Sequence, residues 1–236
     1  MDLAEPCGSA RLLGRGRPNR SSAAIVTDLL FVRHGLSEWN LAGRWQGWAD
    51  IPLAPEGEAQ VAEARPSLAG LGLTALVHSG MLRTERTAEL LADGLGLGPL
   101  EAEPGLKEYD VGQWSGLTRP EIEARWPGAL DAWFQGHLPA TPGGESRDAF
   151  ASRLLDAVRR VALTHPGGTV LCVTHGGVVG TLQRVLAEDG AQPGPRIGNL
   201  SGRWVHVDWE GDQVVTKLGD LVHLLPPAKE TESPSA

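Results

Sequence analysis

Two histidines share one setting in this chain. His34 closes the apolar run "LLFVRHG" and His175 closes "TVLCVTHGG". A strand-length apolar run that ends on a histidine places the imidazole at the carboxyl end of a strand, where open α/β sheets bind ligands. If the two strands are parallel neighbours, the imidazoles meet at one sheet edge. Glycine follows each histidine and lets the backbone approach a ligand closely. The helix after Gly177 would aim its amino terminus at the same spot, which favours an anion. Arg33 precedes His34. Arg83 falls in the first turn of a helix that follows the strand and turn "ALVHSG", and Arg86 lies one turn further on. A guanidinium there suits bidentate binding of phosphate oxygens, while Arg86 reads as a structural ion pair. Glu108 sits in the glycine-flanked loop "LKEYDVGQWSGL" and is a candidate general acid.

These residue types suggest phosphoryl transfer through a histidine. A neutral imidazole attacks phosphorus and the phosphoryl group rests on nitrogen. Arg33, Arg83 and His175 neutralise the three equatorial oxygens as charge spreads. Glu108 protonates the leaving alkoxide, and water or a second hydroxyl then removes the phosphoryl group. With arginines carrying the charge, no metal or other cofactor is expected. His78, His137, His165, His206 and His223 show no metal-ligand spacing. There is no Walker-type loop and no dinucleotide fingerprint.

The elements that position these groups alternate between strand and helix. The patterns predict strands at Ile25–Val32, Ala75–Ser79, Pro99–Glu103 and Thr169–Thr174, and a final hairpin of Trp204–Trp209 and Gln213–Lys217 turning at Glu210-Gly211-Asp212. They predict helices at Pro55–Leu71 with a break at Pro66, Leu82–Leu95, Pro120–Trp126, Leu130–Phe134, Arg147–His165 and Gly177–Leu186. That alternation argues for an α/β layered domain. One domain over 25–225 is expected, between a disordered leader, 1–24, and a disordered tail, 226–236.

The 236 residues are 41% hydrophobic and 21% charged, as in ordinary globular proteins. A net charge of −8 argues against a nucleic-acid or anionic-membrane partner. No run of about 18 apolar residues is present to span a membrane. Cys7 and Cys172 form no disulfide framework, so a reducing, cytoplasmic compartment is the default expectation. Of eight tryptophans, Trp39, Trp45, Trp48 and Trp114 lie beside these motifs and are candidate pocket walls.

The ordered set "RHG" with a hydroxyl residue and Asn40 behind it, "GRWQGWADIPLAPEGEAQ", "SGMLRTERTAELLA", "LKEYDVGQWSGL", "PGGES" and "VTHGG" resembles the histidine phosphatase superfamily, which also holds the cofactor-dependent phosphoglycerate mutases. The resemblance runs from about residue 28 to about residue 180. It implies a three-layer α/β/α sandwich with a mixed, mainly parallel central sheet. It implies that His34 is the phosphorylated nucleophile, that Arg33, Arg83 and His175 form the phosphate pocket, and that Glu108 is the proton donor. Gly35, Ser37, Asn40, Gln46, Gly47 and Gly176 are the further phosphate or substrate contacts it suggests. Leu36 stands where the family often has a polar residue and, with Tyr109, is the expected determinant of substrate choice. Ala54 stands where a capping threonine is common, so that helix cap must come from elsewhere.

The leading expectation is hydrolysis of a small phosphorylated metabolite, a sugar phosphate or a phosphoglycerate derivative. A mutase is the rival, and a silent phospho-ligand binding module the third reading. Mutases of the family carry a longer, more basic insert after the acidic motif, whereas "LKEYDVGQWSGLTRPEIEARWPGAL" is compact. Homodimers are common in the family.

Overall fold

The computed structural model describes residues 26–187, 195–210 and 213–225. The expected leader, the tail and the centre of the hairpin turn lie outside the described residues. Strand β1 (Val26–Arg33) forms the axis of the sheet. Leu29 and Phe31 enter one apolar core, Leu30 and Val32 the other, and all four are fully buried. A strand covered on both faces needs such an uninterrupted apolar run.

Strand β4 (Thr169–Thr174) runs parallel beside β1, with Arg33 paired to Thr174. The expected juxtaposition of the two histidine-bearing strands is therefore found. Strand β2 (Ala75–His78) lies parallel on the far side of β4, and β3 (Glu101–Ala102) is parallel to β2. Strands β5 (Ser201–Glu210) and β6 (Gln213–His223) complete the sheet antiparallel, giving the order β3-β2-β4-β1-β5-β6. Both hairpin strands outrun their expected limits, because Gly202 and Gly219 interrupt the apolar pattern without ending the strands. A Cβ at Gly202 would run into the Phe31 carbonyl, so that crossing requires glycine.

Helices α2 (Pro55–Ala64) and α3 (Leu82–Ala92) cover the face of Leu30 and Val32. Helices α4 (Arg119–Arg125), α5 (Ala129–Phe134), α6 (Arg147–Thr164) and α7 (Gly176–Val185) contribute to the core on the face of Leu29 and Phe31. The result is the three-layer mixed sandwich. Helix α2 stops at Ala64, and Arg65–Leu68 continues as a 3-10 turn containing Pro66, whose ring cannot continue an α-helical ladder. One short helix, α1 (Glu38–Leu41), was not expected. Ala54 supplies no side-chain cap to α2; Pro55 starts the helix, and Glu56 and Glu58 complement its first turn instead.

Among the described residues, no helix is long and apolar enough to cross a membrane, and no group of three or more His, Cys, Asp or Glu is placed to hold a metal ion.

Candidate active site

The strand ends bring His34 and His175 together, with ring centroids 5.3 Å apart at 67°. The His34 backbone N–H donates to the Thr174 carbonyl at 2.9 Å, which ties one strand exit to the other. His34 is 3% exposed. Its Nδ1 lies 2.6 Å from the Gly35 carbonyl, an acceptor only, so Nδ1 carries the proton and Nε2 keeps the lone pair. Burial holds the imidazole well below the usual histidine range, and the charges of Arg83 and Arg33 push the same way. A neutral imidazole with a free Nε2 is the form a nucleophile requires.

Gly35 is clamped on both sides. Its N–H donates to Thr87 Oγ1 at 3.1 Å, and its carbonyl also accepts from Asn199 Nδ2 at 3.1 Å. Asn199 reaches the His34 carbonyl as well, at 2.9 Å. Both backbone groups of Gly35 are thus taken up by protein, which corrects the expected role of Gly35 as a ligand contact. Glycine is needed there because α2 packs close: a Cβ would lie 2.7 Å from Val61 Cγ2. Thr87 and Asn199 carried no spacing signal in the sequence and were missed.

Arg83 is 1% exposed. Its Nη1 donates to the Ala49 carbonyl at 2.8 Å and its Nη2 to the Gly47 carbonyl at 2.9 Å. Arg33 Nη1 donates to the Ile197 carbonyl at 2.9 Å. Burial lowers both guanidinium groups, that of Arg83 to about 10, and the Glu108 charge opposes the shift in each. Both stay cationic at neutral pH. Asp50 Oδ1 accepts from the Leu82 N–H at 2.7 Å and so caps α3, the helix that carries Arg83.

Three buried polar atoms here find no hydrogen-bond partner among the described residues: Arg33 Nε, Arg83 Nε and His175 Nδ1. Orphaned polar groups are costly in a native interior unless a ligand satisfies them. The charges of both arginines act on His34 and on His175, so the two guanidinium groups share one neighbourhood with the two imidazoles. An oxyanion suits the two guanidinium N–H groups.

Glu108 reaches the same place from its loop. Its Oε1 accepts from the Tyr109 N–H at 2.8 Å, and its Oε2 from the Gly177 N–H at 3.1 Å at the start of α7. The helix amino terminus therefore meets the protein's own carboxylate. Trp48 Nε1 donates to the Glu108 carbonyl at 2.7 Å and stays half exposed beside it. A Cβ at Gly177 would overlap Glu108 Oε1, whereas one at Gly176 would meet Arg33 Cδ at an ordinary 3.5 Å. The glycine whose missing Cβ leaves room for the Glu108 carboxylate is Gly177. Gly177→Ala is expected to cost about 1–3 kcal/mol by overpacking and to slow hydrolysis of alkyl phosphates, with Gly176→Ala much milder. Thermal melts and kcat for the two variants check this; equal behaviour would refute it.

Hydrogen bonds and packing hold the remaining candidates in place. Ser37 is fully buried and caps α1; its hydroxyl donates to Asn40 Oδ1 at 2.9 Å and accepts from Gln46 Nε2 at 2.8 Å. It positions Asn40 and Gln46 in place of touching a ligand. Asn40 Oδ1 also accepts from the Ser37 N–H and from Asn199 Nδ2, which turns the Asn40 amide NH2 away from those partners. Gly47 sits at φ +51°, against the Tyr109 and Val111 backbone, where any Cβ would strike Val111. Leu36 is half-buried, and its carbonyl accepts from the Ala54 N–H at 2.9 Å. Tyr109 does not select substrate: it is 6% exposed, packs on Trp133 and Phe150, and its hydroxyl donates to the Glu145 carbonyl. It anchors the loop that bears Glu108. Trp114 is likewise fully buried in the core and does not wall the pocket. Arg86 makes the expected ion pair, with Glu58 at 2.7 Å.

The buried imidazoles give the protein a pH signature. His34 and His175 are both held well below the ordinary value near 6.5. Below about pH 6.5 the unfolded chain takes up protons that the folded chain refuses, so stability falls as pH falls. The slope approaches about 1.4 kcal/mol per pH unit for each imidazole. His78, also lowered by burial, adds to it. Denaturant midpoints measured in phosphate-free buffers from about pH 7.5 to about 5.5 test this; a flat profile would contradict it.

Residues 29–220 match the family model for the histidine phosphatase superfamily, branch 1. A 2,3-bisphosphoglycerate-dependent phosphoglycerate mutase from Methylobacterium radiotolerans is 38% identical over 67% of this chain and 78% of its own length. A metal-independent phosphoserine phosphatase from Arabidopsis thaliana is 33% identical over 84% of each chain. The solved structure of a mycobacterial glucosyl-3-phosphoglycerate phosphatase complexed with VO3 superposes with a TM-score of 0.69, at 28% identity over 82% of this chain and 97% of that one.

Proposed function

This chain belongs to branch 1 of the histidine phosphatase superfamily, and from that premise we propose that it hydrolyses small phosphomonoesters through a phosphohistidine at His34. One observation carries the reading. The imidazole whose Nε2 is free to attack lies 5.3 Å from the His175 ring and under the charges of Arg33 and Arg83, and in those three residues Arg33 Nε, Arg83 Nε and His175 Nδ1 are buried without a partner among the described residues. The two guanidinium Nε–H groups suit the equatorial oxygens of a transferring phosphoryl group.

In this scheme His34 Nε2 attacks phosphorus and the ester oxygen leaves with a proton from Glu108. Water then attacks the phosphohistidine, with Glu108 taking back a proton, and inorganic phosphate departs. Gly35 and Asn199 keep Nδ1 protonated throughout, so Nε2 stays the reactive atom. Phosphomonoesters of small carboxylate-bearing alcohols, phosphoserine or glycosylated phosphoglycerate derivatives among them, are the class suggested by the relatives' names. A cytoplasmic setting fits Cys172, which is buried in β4 and whose thiol burial pushes far up, making it a packing residue.

Phosphoryl return, as in a mutase, is the second reading, favoured by the 38% identical relative. Hydrolysis is better supported here. After Glu108 the compact segment offers only Arg119 and Arg125 up to Leu130. Arg119 lies over the Phe134 ring at 4.8 Å, and Arg125 is exposed in the last turn of α4. Neither is held for a second anionic group. Assaying one preparation for free phosphate and for 3-/2-phosphoglycerate interconversion decides between them. Hydrolysis requires phosphate release; interconversion without free phosphate would overturn it.

A further inference from the structure

The protonation of both His175 nitrogens follows from the hydrogen bonds around it. Thr84 Oγ1 donates to the Met81 carbonyl at 2.8 Å, which can only accept. With that proton committed, Thr84 Oγ1 accepts from Ser79 Oγ at 2.8 Å. The Ser79 proton is then committed too, so Ser79 Oγ accepts from His175 Nε2 at 2.8 Å. All three side chains are fully buried. The bonds therefore run in one direction, from His175 Nε2–H through Ser79 and Thr84 to a backbone carbonyl. A neutral imidazole has a single N–H, and here it is used at Nε2. His175 Nδ1 is left as a buried lone pair with no partner among the described residues. The charges of Arg83 from α3, Arg33 from β1 and Arg153 from α6 act on the ring, and the His34 imidazole lies 5.3 Å from it. Glu108 stands beside them, bonded to the Gly177 N–H two residues on. A lone pair cannot donate to a phosphoryl oxygen.

We propose that Ser79 and Thr84 are positioning residues that deny His175 its neutral Nδ1–H form, so that binding of a phosphate dianion is accompanied by uptake of one proton onto His175 Nδ1. The inference rests on the phosphate-pocket reading above. The proton comes from solvent, one N–H bond forms at Nδ1, and no other covalent bond changes. The imidazolium then donates Nε2–H to Ser79 and Nδ1–H to a phosphoryl oxygen. In the free protein burial and the arginines keep the imidazole neutral. The incoming negative charge reverses that balance.

Calorimetric titration with inorganic phosphate at about pH 8, where the dianion prevails, counts the protons when repeated in two buffers of different ionisation enthalpy. Thr84→Val keeps the side-chain shape and removes the oxygen. The Ser79 hydroxyl is then free to donate to Nε2, which moves the imidazole proton to Nδ1. Ser79→Ala removes the acceptor and frees the same tautomer. Wild-type protein is expected to take up about one proton per phosphate, and both variants distinctly less. Its phosphate Kd should rise about tenfold per pH unit above that pH, a slope that flattens in Thr84→Val. A purely structural role would weaken binding at every pH and leave the proton count alone. Equal uptake in wild type and in whichever variants fold would overturn the role of the two hydroxyls, and no uptake by wild type would overturn the proposal. An enzyme that releases phosphate from esters yet shows either result loses only this inference. One that neither binds nor releases phosphate loses the functional reading too.

Discussion

Replacing His34 by alanine is expected to lower phosphate release by about four orders of magnitude or more, because it removes the atom that bonds to phosphorus. The size of the effect follows from the geometry. Gly35 fixes the His34 tautomer, and the Ser79 bond occupies the Nε2 of His175, so the two imidazoles are not interchangeable. Arg33 and Arg83 survive the change with their backbone anchors intact, and His175 keeps its bond to Ser79. The variant should therefore still bind phosphate or vanadate while failing to turn over. Stability is expected to drop little at neutral pH and to improve relative to wild type in acid, because one imidazole that refuses a proton has gone. Steady-state kinetics and vanadate titration on the same sample check both halves. A His34→Ala enzyme that keeps a tenth of its activity would remove the histidine from the mechanism.

Glu108→Gln is expected to separate substrates by leaving group. An alkoxide needs the proton that Glu108 supplies, so kcat for an alkyl phosphate should fall by about 10²–10⁴. Nitrophenolate leaves without protonation, so nitrophenyl phosphate should lose far less. The variant is nearly isosteric, yet one of the two N–H groups at Tyr109 or Gly177 would then face an amide NH2. A modest loss common to both substrates is expected from that mismatch. The ratio of the two losses isolates the proton, and equal losses would mean that Glu108 only shapes the pocket.

How much of this was legible in the chain depends on where each signal lies. The runs ending at His34 and His175 are unbroken and apolar because β1 and β4 are buried on both faces, so sequence pattern and burial agree. Arg83 was legible because a strand, a turn and a helix fix its height above the sheet. Asn199, Thr87, Ser79 and Thr84 were not. Asn199, Thr87 and Ser79 are single polar residues whose partners are brought near by the fold, with 164 positions separating Asn199 from Gly35 and 96 separating Ser79 from His175, and Thr84 matters only through Ser79. Spacing along a chain carries no trace of such a pairing. Glycines misled in a related way. Gly35 was read as making room for a ligand, whereas Val61 of α2 needs that room. Tyr109 follows the acidic residue in sequence, but successive residues in an extended loop point to opposite sides, and its ring turns into the core.

The central claim is a covalent bond between phosphorus and His34. Rapid acid-free quenching during turnover of a 32P-labelled substrate, followed by peptide mapping, tests it most directly. The account predicts label on the peptide that contains His34, stable to base and lost in mild acid, as a phosphoramidate should be. Turnover with no labelled enzyme at any quench time, or an acid-stable label on another residue, would contradict it.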